Sequence, residues 1–229
     1  MAPVLGYWDF RGLAQSIRDL LEYAKVEYED KRYGYGSDPN WTRDEWLADK
    51  PNLGLDFPNL PYYLDGDVKL TQSLAILRYL GRKHGLAPKS DELQSQVDVV
   101  EMQALDLIRS VARLCYDSGY SDDKLRQFLV DSAEKLRQFE ALLAKNGPFA
   151  IGEDVTYVDF LLFEALAFVR AVEPSNFKRK FPSLVQYRER VAGLPGLREY
   201  LASPRFKAWP FLSPLGSALG LQHKPPSDD

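Results

Sequence analysis

VLGYWDFRGLAQSIRDLLEYAKVEYEDKRY, residues 4–33, is the stretch whose reading decides the fold. Val4 to Trp8 form a continuous apolar run, the pattern of a strand covered on both faces. After a turn at Asp9 to Gly12, the apolar residues Leu13, Ile17, Leu20, Leu21 and Ala24 recur at helical spacing. Tyr28 to Tyr33 reads as a second strand. A strand, a helix and a strand of this length make a compact βαβ unit whose strands run parallel.

The pattern extends outward from there. Residues 34–40 are rich in Gly, Pro, Asn and Asp and read as a loop. Thr42-Arg43-Asp44-Glu45 has capping-box spacing and predicts a short helix ending near Lys50. Pro61 to Leu64 and Asp67 to Leu70 flank Asp65-Gly66, a dipeptide that tolerates the positive φ angles of a tight hairpin. From Thr71 a helix carries Leu74, Leu77, Leu80 and Gly81 to a C-cap at Gly85. Residues 1–84 are therefore a βαβ(α)ββα unit, and residues 85–90, with Pro88 among small polar residues, a linker. Beyond it only helical spacing survives: Leu93 to Leu114, Asp122 to Ala144, and residues 156–172, which are apolar nearly all round. Such a helix is buried in a bundle, and Thr156 and Asp159 stand where they cap its first turn. The expected architecture is α/β plus all-α, with a helical-bundle domain over 91–220 and a flexible tail over 221–229.

Composition removes several function classes. The 229 residues hold 29 Lys and Arg against 33 Asp and Glu, a net charge of -4. The deficit is about -2 on each side of His84, so neither part has the clustered positive surface that nucleic acid or an anionic membrane requires. The single cysteine, Cys115, cannot form an intrachain disulfide, and Met1-Ala2-Pro3 opens no basic and apolar leader. A reducing, cytoplasmic setting is expected. The most apolar stretch, Phe160 to Val169, contains Glu164 and falls short of the roughly twenty residues of a membrane span. Two histidines, His84 and His223, lack ligand spacing, and no metal is expected.

Taken singly, the polar residues of the first unit have ordinary structural readings. Tyr7 is a core aromatic, Ser73 a helix cap, Lys50 a charge at a helix end and Asn59 a turn residue. Together they say more. Leu5 to Gly12, Leu53 to Tyr62, Leu70 to Leu77 and Gly152 to Phe160, with the long Gly34 to Thr42 loop, resemble the cytosolic glutathione transferases of the mu class, a likeness running from about Pro3 to Pro210.

That resemblance implies a thioredoxin-like fold for the N-terminal unit and glutathione as co-substrate, with no cofactor. Tyr7 would donate a hydrogen bond to the glutathione sulfur. A cis Leu60-Pro61 bond would present the backbone of Leu60 to the cysteinyl group, and Gln72 and Ser73 would offer a helix start to the γ-glutamyl carboxylate. Trp8, Leu13, Arg43, Trp46, Lys50 and Asn59 match positions around the rest of the tripeptide. Asp106 matches an acid that reaches glutathione bound to the other subunit of a homodimer, and Phe57 an aromatic that plugs into the partner. Phe10, Leu13, Ile108, Ala112, Tyr116, Trp209 and Leu212 are expected to line the pocket for a hydrophobic electrophile, with Tyr116 as a hydrogen-bond donor. Phe10 and the stretch from Trp209 to Pro214 depart from common mu-class usage. The alternative is a non-catalytic carrier of hydrophobic ligands, or a structural protein, on the same scaffold.

Overall fold

The computed structural model describes residues 2–225; Met1 and residues 226–229, the end of the expected tail, lie outside the described residues. The first unit is built from β1 (Val4–Trp8), α1 (Gln15–Tyr23), β2 (Glu29–Tyr33), α2 (Asp44–Asp49), β3 (Tyr62–Asp65), β4 (Val68–Thr71) and α3 (Ser73–Lys83). Its sheet has the order β2-β1-β3-β4, with β1 parallel to β2 and antiparallel to β3. The parallel pair is the one the βαβ pattern requires, because the α1 crossover returns the chain in the same sense. The hairpin turns at Gly66, at a φ of 61°.

A helical unit follows: α4 (Asp91–Cys115), α5 (Asp122–Asn146), α6 (Tyr157–Val172), α7 (Pro174–Lys180), α8 (Pro182–Ala192) and α9 (Leu197–Leu201). Helix α6 is its axis; Phe160, Leu162, Ala165, Leu166 and Phe168 are all fully buried. With water excluded from its first turn, the orphan amides need protein partners. Asp159 supplies them, accepting from the Thr156 amide at 2.8 Å and from the Thr156 hydroxyl at 3.0 Å.

The two units share one core. Ile17, Leu20 and Leu21 of α1 and Ile76, Leu77 and Leu80 of α3 join the cluster formed by α4 and α6. Gly81 permits the close approach, since a Cβ there would lie 2.6 Å from the ring of Tyr157. The connection contributes as well: Leu86 accepts the Tyr157 amide at 2.9 Å, and Arg78 forks onto the buried Glu101. A smaller cluster of Tyr7, Phe10, Ala14, Tyr33, Trp46, Leu60 and Tyr62 lies apart from the main core.

One local expectation is corrected. Thr42 does not cap α2: Arg43 is the N-cap residue, without a side-chain cap bond. Glu45 turns instead to the Gly34 amide at 3.4 Å and Lys31 at 3.6 Å. At the start of the expected tail, Gln222 and His223 both hydrogen-bond the carbonyl of Gly216.

Candidate functional site

Tyr7 sits near the end of β1 and is 5% exposed. The chain then turns back over it. At Gly12, φ is +45°, and a Cβ would come within 2.5 Å of the phenol oxygen, so only glycine lets the turn close here. The closed turn brings the Leu13 amide to donate to Tyr7 Oη at 3.1 Å. A phenol oxygen that accepts this bond keeps its own proton free to donate elsewhere. Burial, only partly offset by the Leu13 amide, pushes the phenol well above the usual tyrosine range, with Tyr116 nearby adding to the rise. Near pH 7 Tyr7 is thus a neutral, pre-oriented donor.

The polar candidates come from three segments, the loop before β3, the start of α3 and the ends of α2. The Leu60-Pro61 bond is cis and Leu60 is buried. Its amide is occupied by Asn59 Oδ1 at 2.9 Å, so Asn59 holds the N–H that an added strand would use. Gln72 precedes α3 with φ 72° and ψ 113°, a conformation that costs a non-glycine residue about 1–3 kcal/mol. The strained backbone exposes Gln72 at the positive end of an 11-residue helix, with Ser73 as its first residue. Arg43 is exposed ahead of α2 and Lys50 half-buried after it. Among the described residues neither is ion-paired, because Lys31 neutralises Glu45 and Asp49. Trp46 is only 6% exposed, stacked on Tyr62 at 6.2 Å and edge-on to Tyr33 at 5.4 Å. It is mainly a core residue that offers little surface to a ligand.

Aromatic groups surround Phe10. Phe10 meets Tyr7 edge-on at 5.4 Å, and Leu13 packs against both clusters. Tyr35, in the loop after β2, lies 4.6 Å from Trp8 and stacks near-parallel on Phe10 at 6.3 Å, with its hydroxyl directed to Ser213. Tyr116 donates to Ser213 Oγ at 3.0 Å and accepts the Ser213 amide at 3.1 Å. Its proton is therefore committed, and an electrophile would have to break that bond to receive it. Ala112 is half-buried, while Ile108 and Leu212 belong to the main core. Trp209 lines a different cleft of about 250 Å³ with Arg11, Arg170, Arg188 and Phe211; the residue of this segment that meets Tyr116 is Ser213.

Two further expected residues come from α4 and from the loop before β3. Asp106 lies in a groove between α4 and α5, 3.4 Å from Lys135 Nζ. Phe57, in the loop between α2 and β3, is 79% exposed. Sequence reasoning missed Tyr35 and Ser213. Tyr35 carried a signal, an aromatic isolated between Gly34 and Gly36 in a polar loop, which is the same oddity that singles out Phe57. Ser213 carried none, since its importance comes from a partner 97 positions away.

The structure thus offers a neutral phenol at Tyr7, aromatic neighbours at Phe10 and Tyr35, a helix start at Ser73, and two cations, Arg43 and Lys50, without an ion pair among the described residues. This set suits a small anion whose soft, ionisable atom rests at Tyr7. Comparison with known proteins agrees. Residues 3–82 match the glutathione S-transferase N-terminal domain and residues 105–204 the C-terminal domain. The chain is 44% identical over 213 residues to glutathione S-transferase Mu 2 of Rattus norvegicus, covering 93% of this chain and 96% of that protein. It is 47% identical over 206 residues to a glutathione S-transferase of Tyrophagus putrescentiae, covering 90% and 92%. The crystal structure of the glutathione S-transferase Blo t 8 superposes with a TM-score of 0.86 at 36% identity, over 93% of this chain and 98% of that one. The glutathione S-transferase of Ascaris lumbricoides does so at 0.77 and 30%, over 91% and 100%. With the turn over Tyr7, the α3 start and both family domains in one chain, this protein belongs to the glutathione S-transferases, and within them to the mu class.

Proposed function

We propose that Tyr7 is the residue with which this transferase activates glutathione for conjugation to hydrophobic electrophiles. The observation that carries the reading is the Leu13 amide on Tyr7 Oη, which leaves a neutral phenol with one uncommitted proton. Donated to the glutathione sulfur, that proton favours the thiolate. A charge-assisted hydrogen bond of this kind is worth about 1.5–3 kcal/mol, or about one to two pKa units. From a thiol pKa of about 8.5, a two-unit drop raises the thiolate fraction near pH 7 from roughly 3% to roughly 75%. The thiol proton passes to water; the sulfur then forms the new carbon–sulfur bond as a leaving group departs.

The remaining roles are assigned from the family resemblance and the chemistry of each group. Gln72, Ser73, Arg43 and Lys50 take the carboxylates, Leu60 pairs with the cysteinyl backbone after displacing Asn59, and Trp8 and Leu13 border the thiol. Phe10, Tyr35, Ala112 and Tyr116 face the electrophile, with Ser213 closing the far end. The functional unit is a homodimer in which Asp106 serves the neighbouring site and Phe57 holds the partner. Among the described residues no helix is long and apolar enough to cross a membrane, and with a lone buried cysteine we assign a cytoplasmic setting. A mere carrier of hydrophobic ligands would need the aromatic wall but not the uncommitted phenol proton.

The test is the pH dependence of conjugation with a chlorodinitrobenzene-type acceptor. Tyr7→Phe should lower kcat/KM about 10- to 100-fold near pH 6.5, with the loss shrinking as pH rises above the thiol pKa. A Tyr7→Phe enzyme with an unchanged profile would sink the mechanism, and absence of turnover in the unaltered protein would favour the carrier.

A further inference from the structure

The turn that carries Leu13 is held from outside the N-terminal unit. Its residue Arg11 points away from Tyr7 into the helical unit, where Nε and Nη2 donate to Glu164 Oε2 and Oε1 at 3.2 and 2.5 Å. The same guanidinium donates through Nη1 to the carbonyl of Ala208 at 3.3 Å and lies 4.4 Å from the ring centre of Phe211. The backbone follows suit: Arg11 N bonds the Pro210 carbonyl and Gly12 N the Phe211 carbonyl, each at 3.0 Å. The Arg11 side chain is 7% exposed and that of Glu164 1%.

A buried ion pair is a poor source of net stability, because desolvation of both partners offsets their attraction. What a two-pronged pair does supply is direction. Glu164 is fixed on α6, the most deeply buried helix of the molecule, so it is a rigid anchor for the turn. We propose that Arg11 and Glu164 are positioning residues for Tyr7, holding the turn at the register in which the Leu13 amide meets the phenol oxygen. The proposal rests on the reading of Tyr7 given above and extends it: the geometry that acidifies the thiol is set partly by the helical unit, two residues from Leu13 along the chain.

The charged and titratable surroundings bear on the test. Glu164 faces Arg11 from the turn, Asp19 from α1 and Arg188 from α8. Tyr7 faces Tyr116 from the end of α4, Arg18 from α1 and Tyr35 from the loop after β2. Arg18 also donates to the Phe10 carbonyl at 3.2 Å, a second tether on the turn. Asp19, fully buried and facing Glu164, is held well above the usual carboxylate range, mainly by its burial. An Asp19→Asn control removes its titration from the profile.

The experiment uses the full chain with glutathione bound, following the ultraviolet absorbance of the thiolate and kcat/KM from about pH 6 to about pH 9. Glu164→Gln keeps the shape but loses the charge. It should raise the bound thiol pKa by about one unit, giving roughly tenfold lower kcat/KM near pH 6.5 and convergence to within about twofold near pH 9. The KM for glutathione should stay within about twofold. Arg11→Lys, which keeps the charge but loses the fork, should shift the profile the same way by less, and carries the test if Glu164→Gln does not fold. In a Tyr7→Phe background neither change should move the thiol pKa further. A loss of equal size at every pH, or the same added loss in the Tyr7→Phe background, overturns the proposal and leaves a structural pair. If Tyr7→Phe alone leaves the thiol pKa unmoved, it is the reading of Tyr7 that fails.

Discussion

Tyr7 and Tyr116 both bring a phenol to the cleft, and what separates them is the bond each oxygen already makes. Tyr7 accepts from Leu13 and keeps its proton, whereas Tyr116 spends its proton on Ser213. Next to Tyr116, Cys115 shows the opposite outcome for a reactive group. It is 1% exposed, and burial pushes its thiol up to about 12. At that value only about one molecule in 10⁵ carries a thiolate near pH 7, so the protein's own sulfur does not compete with that of glutathione. An aromatic disulfide reagent should label the native protein more than 100-fold slower than free cysteine, and one equivalent should react at once in denaturant. Fast labelling of the native chain with loss of activity would contradict this placement.

At the scale of the element, α6 depends on Asp159. Its carboxylate takes the Thr156 amide and hydroxyl on one oxygen, and the Ala150 amide and Tyr187 hydroxyl, both at 2.8 Å, on the other. Asp159→Asn puts an NH₂ against donors on one side of that arrangement. It should cost about 1.5–3 kcal/mol, read as a lower urea midpoint with an unchanged slope. An unmoved midpoint would show that the cap is ornamental. This cap was legible because Thr156 and Asp159 precede a run buried all round, so local spacing and tertiary setting agree. The same spacing at Thr42 and Glu45 misled, because α2 lies on the surface and Lys31 and the Gly34 amide compete for Glu45. The βαβ crossover and the helices α4, α5 and α6 were readable from period, whereas α7, α8 and α9, short and broken by Pro174, Pro182 and Gly196, were not. Contacts made across long separations were not: Arg11 with Glu164, 153 positions apart, leaves no local trace. The resemblance put Trp209 in the electrophile pocket; in the structure it lines the Arg11 cleft, four positions short of Ser213.

For the whole molecule, Phe57 and Asp106 make sense together or not at all. A phenylalanine 79% exposed in a loop is apolar surface without a use in one chain, and Asp106, with a half-exposed carboxylate, lies in a groove between α4 and α5 whose lining does not include Tyr7. In the homodimer proposed above, the first would close the interface and the second would serve the partner's glutathione. Burying one Phe is worth about 1.5–3 kcal/mol, and a two-fold interface buries it twice, so Phe57→Ala should weaken dimerisation by about 10²- to 10⁴-fold. Sedimentation equilibrium measures that directly. The coupled prediction is sharper. Asp106→Asn should raise the KM for glutathione several-fold in the dimer with little change in kcat. In Phe57→Ala protein diluted to monomers, the same substitution should do nothing, because no neighbouring site remains for Asp106 to reach. An equal effect of Asp106→Asn in dimer and monomer would return Asp106 to an ordinary surface acid paired with Lys135, and an undiminished dimer in Phe57→Ala would move the interface elsewhere on the chain.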